Sequence, residues 1–309
     1  ANLEYPSKLR PYQKQAIFQA TKMNRGIFYL ATGLGKSVIL AVIAEALNRN
    51  VLILCQSTDL AKQLIEEIEF YTGNAEVGFI GNSVFKPKRV TVGILQSFNM
   101  NRKKGKTRQQ FQDYLDSVEG LIVDECHNAQ ANSYDQLLAN LKNCDYRIGM
   151  SATPFTSSVN LEGGGKGDFN ILLHAQFGEY LYKMNTRDGI NQGYLANPTI
   201  EMIDFPIEMT SDIVDYSYEY EKYIVYNDER NDYIARRTAE AWRENKRVVI
   251  FVNRIDHGNK IIEKILNNYS IPADEIAYVN GQLPKDERKA LLLGFKSFDK
   301  NIIIGTVLK

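Results

Sequence analysis

The sequence predicts an α/β protein built on doubly wound parallel sheets, arranged as two units in tandem. Three observations carry this prediction. Short apolar runs of strand length alternate with amphipathic stretches of helix length, the rhythm of a parallel sheet covered on both faces. A glycine-bearing turn, Leu30–Ser37, joins one such strand to one such helix. After a junction stretch from Asn185 to about Ser211, broken by Asn197-Pro198 and Phe205-Pro206, the alternation starts again at Arg247. The first unit is therefore expected over residues 1–205 and the second, incomplete one over residues 206–309.

Composition sets the bounds. With 44% hydrophobic and 24% charged residues, a chain of 309 can bury two separate cores. Its 37 basic residues balance 37 acidic ones, so any nucleic-acid surface has to be local. Cys55, Cys126 and Cys144 are too few and too scattered for a disulfide framework or a cysteine-based zinc site. They suit a reducing, cytoplasmic setting. No apolar run approaches the ~18 residues that span a bilayer, and the N-terminus lacks a signal-peptide pattern.

The elements follow in order. Leu9–Phe18 reads as a short amphipathic helix with Pro11 near its start. On it, the Gln13 amide could donate to and accept from an adenine edge at once, although an exposed helical glutamine looks the same. Gly26–Leu30 is a buried strand and Val38–Leu47 a helix. Between them, Gly33 and Gly35 let the backbone curl so that successive N–H groups face one point, at a helix N-terminus. Lys36 supplies a point charge for phosphates and the Ser37 hydroxyl a ligand for Mg²⁺. The pattern G-x-x-x-x-G-K-[ST] asks for glycine at position 30, where this chain has Leu30.

Val51–Cys55 is the next strand, running through Ser57, a suitable N-cap, into a helix that Gly73 ends. Phe79-Ile80 and Val90–Leu95 are further strands, the second leading to Gln96-Ser97. Residues 86–108 carry Lys86, Lys88, Arg89, Arg102, Lys103, Lys104, Lys106 and Arg108 with no acidic residue. Such a run is either a solvated loop or a phosphate-binding surface; it brackets a strand's carboxyl end, where ligands of open α/β sheets bind.

Leu121-Ile122-Val123 is a buried strand with Asp124-Glu125-Cys126-His127 at its end. An isolated acidic pair there can be a helix N-terminal charge. Beside a Lys36-Ser37 loop it suits phosphoryl chemistry, Asp124 holding Mg²⁺ and Glu125 orienting the water. A strand from Tyr146 leaves through Ser151-Ala152-Thr153 to Pro154, and Gly163-Gly164-Gly165 reads as a mobile loop. Asp212–Asn245 is helical and tyrosine-rich, its rings suited to packing more than to stacking on bases. Strands at Arg247–Val252, Ile276–Val279 and Asn301–Val307 then alternate with helices from His257 and after Pro284.

In this order the motifs resemble those of superfamily 2 helicases and translocases of the DExH kind. Arg10-Pro11-Tyr12-Gln13 looks like the adenine-reading Q-type motif, Leu30–Ser37 like motif I, and Gln56–Gln63 like motif Ia. Gln96-Ser97 resembles motif Ib, Asp124–His127 motif II, and Ser151-Ala152-Thr153 motif III. Phe251–Arg254 resembles motif IV, and Ile304-Gly305-Thr306 the start of motif V. The Arg-Pro-Tyr-Gln and Asp-Glu-Cys-His boxes look closer to DNA motors than to DEAD-box RNA helicases. Those motors are the XPB type, phage branch-migration helicases and restriction-enzyme motor subunits.

The resemblance implies two RecA-like domains with Mg-ATP between them. Arg10 and Gln13 would meet adenine, and Thr32, Gly33, Leu34, Gly35 and Lys36 the phosphates. Ser37 and Asp124 would hold Mg²⁺, Glu125 and His127 would serve hydrolysis, and Ser151, Ala152 and Thr153 would couple it to the strand. A monomeric DNA helicase or translocase would contact a single strand, fork or branch through Ser57, Gln96, Ser97, Lys103, Lys104, Asn253, Arg254 and Thr306. The alternatives are an ATP-switched binding module without strand separation, and an RNA helicase. The resemblance also implies a motif VI after Thr306, so the chain is expected to be C-terminally truncated and to hydrolyse ATP slowly. An arginine finger is worth about 10³–10⁵ in rate.

Overall fold

Val51, Ile53 and Cys55 face one way from their strand and Leu52 and Leu54 the other, yet all five are buried. A strand apolar on both sides needs a layer of helices on each. The computed structural model describes residues 9–99, 103–128, 132–153, 168–205 and 215–306. The chain divides into two units, Ala1–Thr199 and Ile200–Lys309.

The first unit holds an eight-stranded sheet of β1 (Arg25–Leu30), β2 (Val51–Cys55), β3 (Gly78–Gly81), β4 (Val84–Lys86), β5 (Val90–Ile94), β6 (Gly120–Asp124), β7 (Tyr146–Ser151) and β8 (Tyr180–Met184). The strand order is β4-β3-β5-β2-β6-β7-β1-β8, parallel except for β4 against β3. Helices α1 (Pro11–Lys22), α2 (Lys36–Ala46) and α3 (Thr58–Thr72) cover one face. Ile17, Ile39, Ile43, Leu64 and Ile68 meet Phe28, Ile53, Val92, Ile122 and Ile148 there. Helices α4 (Gly105–Ser117), α5 (Asn132–Asn140) and α6 (Asp168–Phe177) cover the other. Phe111, Leu115, Tyr134, Leu137 and Phe177 pack on Ile27, Leu52, Leu54, Leu121 and Val123. Helix α7 (Thr186–Asn191) follows β8.

The second unit contains α8 (Tyr216–Tyr220), α9 (Asp228–Arg243), β9 (Val248–Val252), α10 (Ile255–Tyr269), β10 (Ile276–Val279), α11 (Lys285–Lys296) and β11 (Ile302–Thr306). Its three strands are parallel in the order β10-β11-β9. Ala235 and Ala239 of α9 and Ile261 and Ile265 of α10 pack on Val252, Ile276, Ile302 and Ile304. On the other face Val249 and Phe251 are exposed.

Two features differ from the sequence reading. Strand β4 is antiparallel, turned by Asn82 and Ser83 at φ 49° and 66°. Two successive left-handed residues make the hairpin turn that suits strand twist. Tyr216, Tyr218 and Tyr226 were expected to pack and instead are exposed; the first two lie on α8, which buries none of its residues, and Tyr226 follows the turn Glu221–Val225. Arg102, Pro154 and the triple glycine lie outside the described residues.

Ile53→Ala removes a side chain enclosed between layers. We expect a loss of about 2–5 kcal/mol, seen as faster amide exchange along β2. Unchanged protection would contradict the packing.

Candidate active site

The phosphate-loop candidate is built by the end of β1. Leu30, the residue that departs from the glycine pattern, is wholly buried as the last residue of the strand. The turn itself begins after it, so a side chain at position 30 belongs to the core. Ala31 N–H donates to the Met184 carbonyl at 3.0 Å, tying the loop to β8. Gly33 and Gly35 take φ of 86° and 70°. The conformation at Gly35 requires glycine, and a Cβ there would also stand 2.7 Å from Gln13 Nε2 and displace that amide from the loop. Ser57, Asn185 and Asn227 cap α3, α7 and α9 with their side chains, whereas no side chain caps α2. Its first-turn amides lie beside the curled loop, the arrangement that attracts anions.

The loop is braced from α1. Tyr12 Oη donates to the Leu34 carbonyl at 2.6 Å, and Gln13 Nε2 donates to the same oxygen at 3.4 Å. Gln13 Oε1 accepts from Arg10 N–H at 2.9 Å. Gln13 is thus buried against the loop and is no ordinary surface glutamine.

Across the sheet edge, Lys36 Nζ donates to Glu125 Oε1 at 2.8 Å, with side-chain exposures of 14% and 34%. Glu125 adopts φ 52°, an uncommon backbone for a residue with a side chain. Its Oε2 accepts from Ser151 Oγ at 3.2 Å and lies 3.2 Å from His127 Nδ1. His127 Nδ1 lies 2.8 Å from Ser151 Oγ, which also accepts from Thr153 N–H at 3.0 Å. If the Ser151 hydroxyl donates to Glu125, the network assigns the His127 proton to Nδ1. Asp124 Oδ1 accepts the Glu125 N–H at 3.1 Å.

The two carboxyls are driven apart electrostatically. Burial, reinforced by the Glu125 charge, raises the Asp124 carboxyl above its usual range. Burial also opposes the charge on Glu125, but the Lys36 ammonium, with His127 and Ser151, outweighs it and holds that carboxyl low. Beneath them the buried Cys126 thiol is pushed up to about 12 by burial and by both carboxylates. It is a packing residue.

The remaining candidates sit at strand ends. Ser57 follows β2 and accepts from Leu60 N–H at 3.3 Å, and Gln96 and Ser97 lie on the single turn Leu95–Phe98 after β5. Lys104 is exposed at the start of α4. Lys103 lies over the Phe111 ring at 3.5 Å, and burial lowers its pKa. In the second unit Asn253 and Arg254 follow β9, and Thr306, the last residue of β11, pairs in register with Val252. Arg254 donates to Glu221 and, at 2.7 Å, to Ser217 Oγ.

Residues 6–156 match the family of the type III restriction enzyme res subunit. Over 295 residues the chain is 25% identical to the ATP-dependent DNA helicase uvsW of Enterobacteria phage T4, an alignment covering 91% of this chain and 54% of that protein. It is 31% identical over 147 residues to the DNA 3'-5' translocase XPB2 of Sulfurisphaera tokodaii, covering 48% of this chain and 31% of that one. Its sequence is similar to helicases and translocases of superfamily 2. A solved helicase domain, Pyrococcus furiosus Hef, superposes with a TM-score of 0.61 at 16% identity, over 96% of this chain and 86% of that one. This likeness establishes the RecA-like fold. The chain spans about half the length of uvsW and about a third of XPB2.

Within this helicase fold, one contributor escaped the sequence reading. The stretch from Asn185, read as the start of a junction, folds back on the loop instead, setting Leu195 against Gly33. Its sequence signal is a capping box, Asn185 with Asp188, followed by Gly193 at φ 73°.

The raised Asp124 carboxyl gives a pH-dependent prediction. Folding favours its protonated form, so ionised Asp124 costs stability at neutral pH, and the cost fades as pH falls to where both states are protonated. Asp124→Asn, which keeps the acceptor for Glu125 N–H, should raise the melting temperature at pH 7 by roughly 2–4 °C. The gain should vanish below about pH 4. A melting temperature that falls at pH 7 would refute the assignment.

Proposed function

We propose that this chain is the ATP-hydrolysing motor core of a DNA helicase or translocase, working in the cytoplasm. The observation that carries the reading is the Lys36–Glu125 contact, which joins a phosphate-loop lysine to the acidic end of β6. The uvsW and XPB2 relatives, named as a DNA helicase and a DNA translocase, support it.

The residues fit the groups this chemistry needs. Gly33, Gly35 and the uncapped start of α2 offer N–H donors for phosphate oxygens, and Lys36 offers a half-buried cation. The Ser37 hydroxyl and Asp124 carboxylate are hard oxygen donors, and Mg²⁺ uses few protein ligands and keeps its waters. Bound there, Mg²⁺ neutralises phosphate charge and polarises the transferred group. Asp124 makes no ion pair in the contacts described, and burial with the Glu125 charge raises its pKa despite Lys36, so a bound cation would favour its ionised form.

Glu125 orients the attacking water. A carboxylate held below its usual range is a weak base, so positioning precedes proton uptake. As phosphate draws the Lys36 ammonium toward itself, Glu125 loses its strongest stabiliser and becomes a better acceptor. Ser151 and His127 keep Oε2 in place, and Thr153 N–H fixes the Ser151 hydroxyl. Any change at Glu125 thus reaches β7 through hydrogen bonds, a route for coupling hydrolysis to strand movement. Ser57, Gln96-Ser97 and Lys104 would meet the nucleic-acid backbone, contacts that position without reading sequence.

The test is ATP hydrolysis with single-stranded DNA, duplex DNA or RNA as activator. DNA should stimulate most, and Lys36→Ala should lower stimulated turnover by about 10²-fold or more. Absence of stimulation by any nucleic acid defeats the reading, and preference for RNA moves it to an RNA motor. Replacing Lys103 and Lys104 together by Ala should weaken DNA binding and reduce the slope of log affinity against log salt by about 2. An unchanged slope would make the basic run merely solvated.

A further inference from the structure

The segment from Asn185 to Leu195 is built as a hook. Asn185 and Asp188 cap α7 reciprocally, Asn185 Oδ1 accepting at 2.9 Å and Asp188 Oδ2 at 3.1 Å. The chain then reverses through Gly193 at φ 73°, and the N–H groups of Tyr194 and Leu195 both donate to the Gly189 carbonyl, at 2.8 and 3.1 Å. Gly189 itself is buried, and a Cβ there would strike Leu195 at 2.7 Å. Leu195 also lies where a Cβ on Gly33 would stand, at 2.9 Å. The hook is rigid at its turn and seated on the phosphate loop.

Its second contact is aromatic. The half-buried Tyr194 ring stands 4.7 Å from the Tyr12 ring, centroid to centroid, at 58°. Tyr12 is anchored through its hydroxyl to the Leu34 carbonyl. The Arg10 guanidinium lies over the Tyr194 ring at 5.4 Å, and Arg10 is exposed. A guanidinium held over an aromatic ring on one side keeps its outer side for a second flat partner. Arg10 N–H also holds Gln13 Oε1, so the stack and the glutamine amide belong to one corner beside the loop.

We propose that Tyr194 is a positioning residue for the purine base of the nucleotide: its ring holds the Arg10 guanidinium flat, so that the opposite face of Arg10 stacks on the base. The inference rests on the reading of Arg10 and Gln13 as base contacts. It gives Tyr194 a role distinct from that of Leu195, which lies against the loop proposed to take the phosphates.

The test compares binding of ATP and of inorganic tripolyphosphate, which carries phosphates without a base, and the KM and kcat of DNA-stimulated hydrolysis. Tyr194→Ala should weaken ATP binding and raise KM about 3- to 30-fold, the range of a cation–π contact. Tripolyphosphate affinity and kcat should stay within about twofold, and Tyr194→Phe should behave as the parent. Arg10→Ala should lose a similar factor, and the double variant should lose no more than Arg10→Ala alone. Leu195→Ala should weaken both ligands together. Equal losses for ATP and tripolyphosphate in Tyr194→Ala would overturn the proposal, since they would show a support for the loop. Unchanged ATP binding in Tyr194→Ala, with Arg10→Ala impaired, would overturn it while leaving the base site intact. Unchanged ATP binding in Arg10→Ala would remove the base-site reading itself, and the proposal with it.

Discussion

Parallel strands deliver their carboxyl ends to one edge of the sheet, and the chemistry of the first unit follows from that constraint. Strand β7 lies between β6 and β1, with Asp124 in register with Met150 and Ser151 in register with Tyr29. The residues leaving these three strands therefore emerge in adjacent rows. Lys36 reaches Glu125 across an interval of 89 residues, and Ser151 reaches the same carboxylate across 26. Strands β2 and β5 come next in the sheet, so Ser57 and Gln96-Ser97 lie along the same edge, displaced from the acidic centre. The residues proposed for hydrolysis and those proposed for strand binding share an edge without overlapping.

Electrostatics then separates two carboxyls that the sequence makes neighbours. Asp124 ends a buried strand and inherits its desolvation, whereas Glu125 is turned by a left-handed backbone toward a lysine. One acid is left seeking positive charge and the other is already supplied with it. Pairs of titratable groups pushed in opposite directions are the usual arrangement where two acids have different tasks.

The loop, the acidic box and the strand ends were legible in the sequence because each needs particular residue types at fixed spacings. Strands such as β2 were legible because both of its faces are apolar. Other features depend on partners that a sequence does not bring together. Gln13 looked ambiguous until its amide met the Leu34 carbonyl, and Leu30 looked anomalous until it proved to be core. The hook at Asn185–Leu195 passed for a junction because its meaning lies in contacts with Gly33 and Tyr12, more than 160 residues earlier. The tyrosines of α8 misled in the opposite sense: helical spacing suggests a packed face, but nothing in that short helix is buried.

Arg254, a proposed nucleic-acid contact, is held in the second unit without being withdrawn. It is pinned by Glu221 and Ser217, and Glu221 begins the widened helical turn Glu221–Val225. Such turns are rare and cluster at functional sites. Arg254 and Glu221 are 38% and 42% exposed, and a pair so open to water is worth only ~0–1 kcal/mol. A nucleic-acid phosphate gains from charge, bidentate geometry and counterion release together, so it can displace the carboxylate at little cost. The pair thus orients the guanidinium beside the end of β9 while leaving it available, and its weakness is what makes it compatible with the proposed contact.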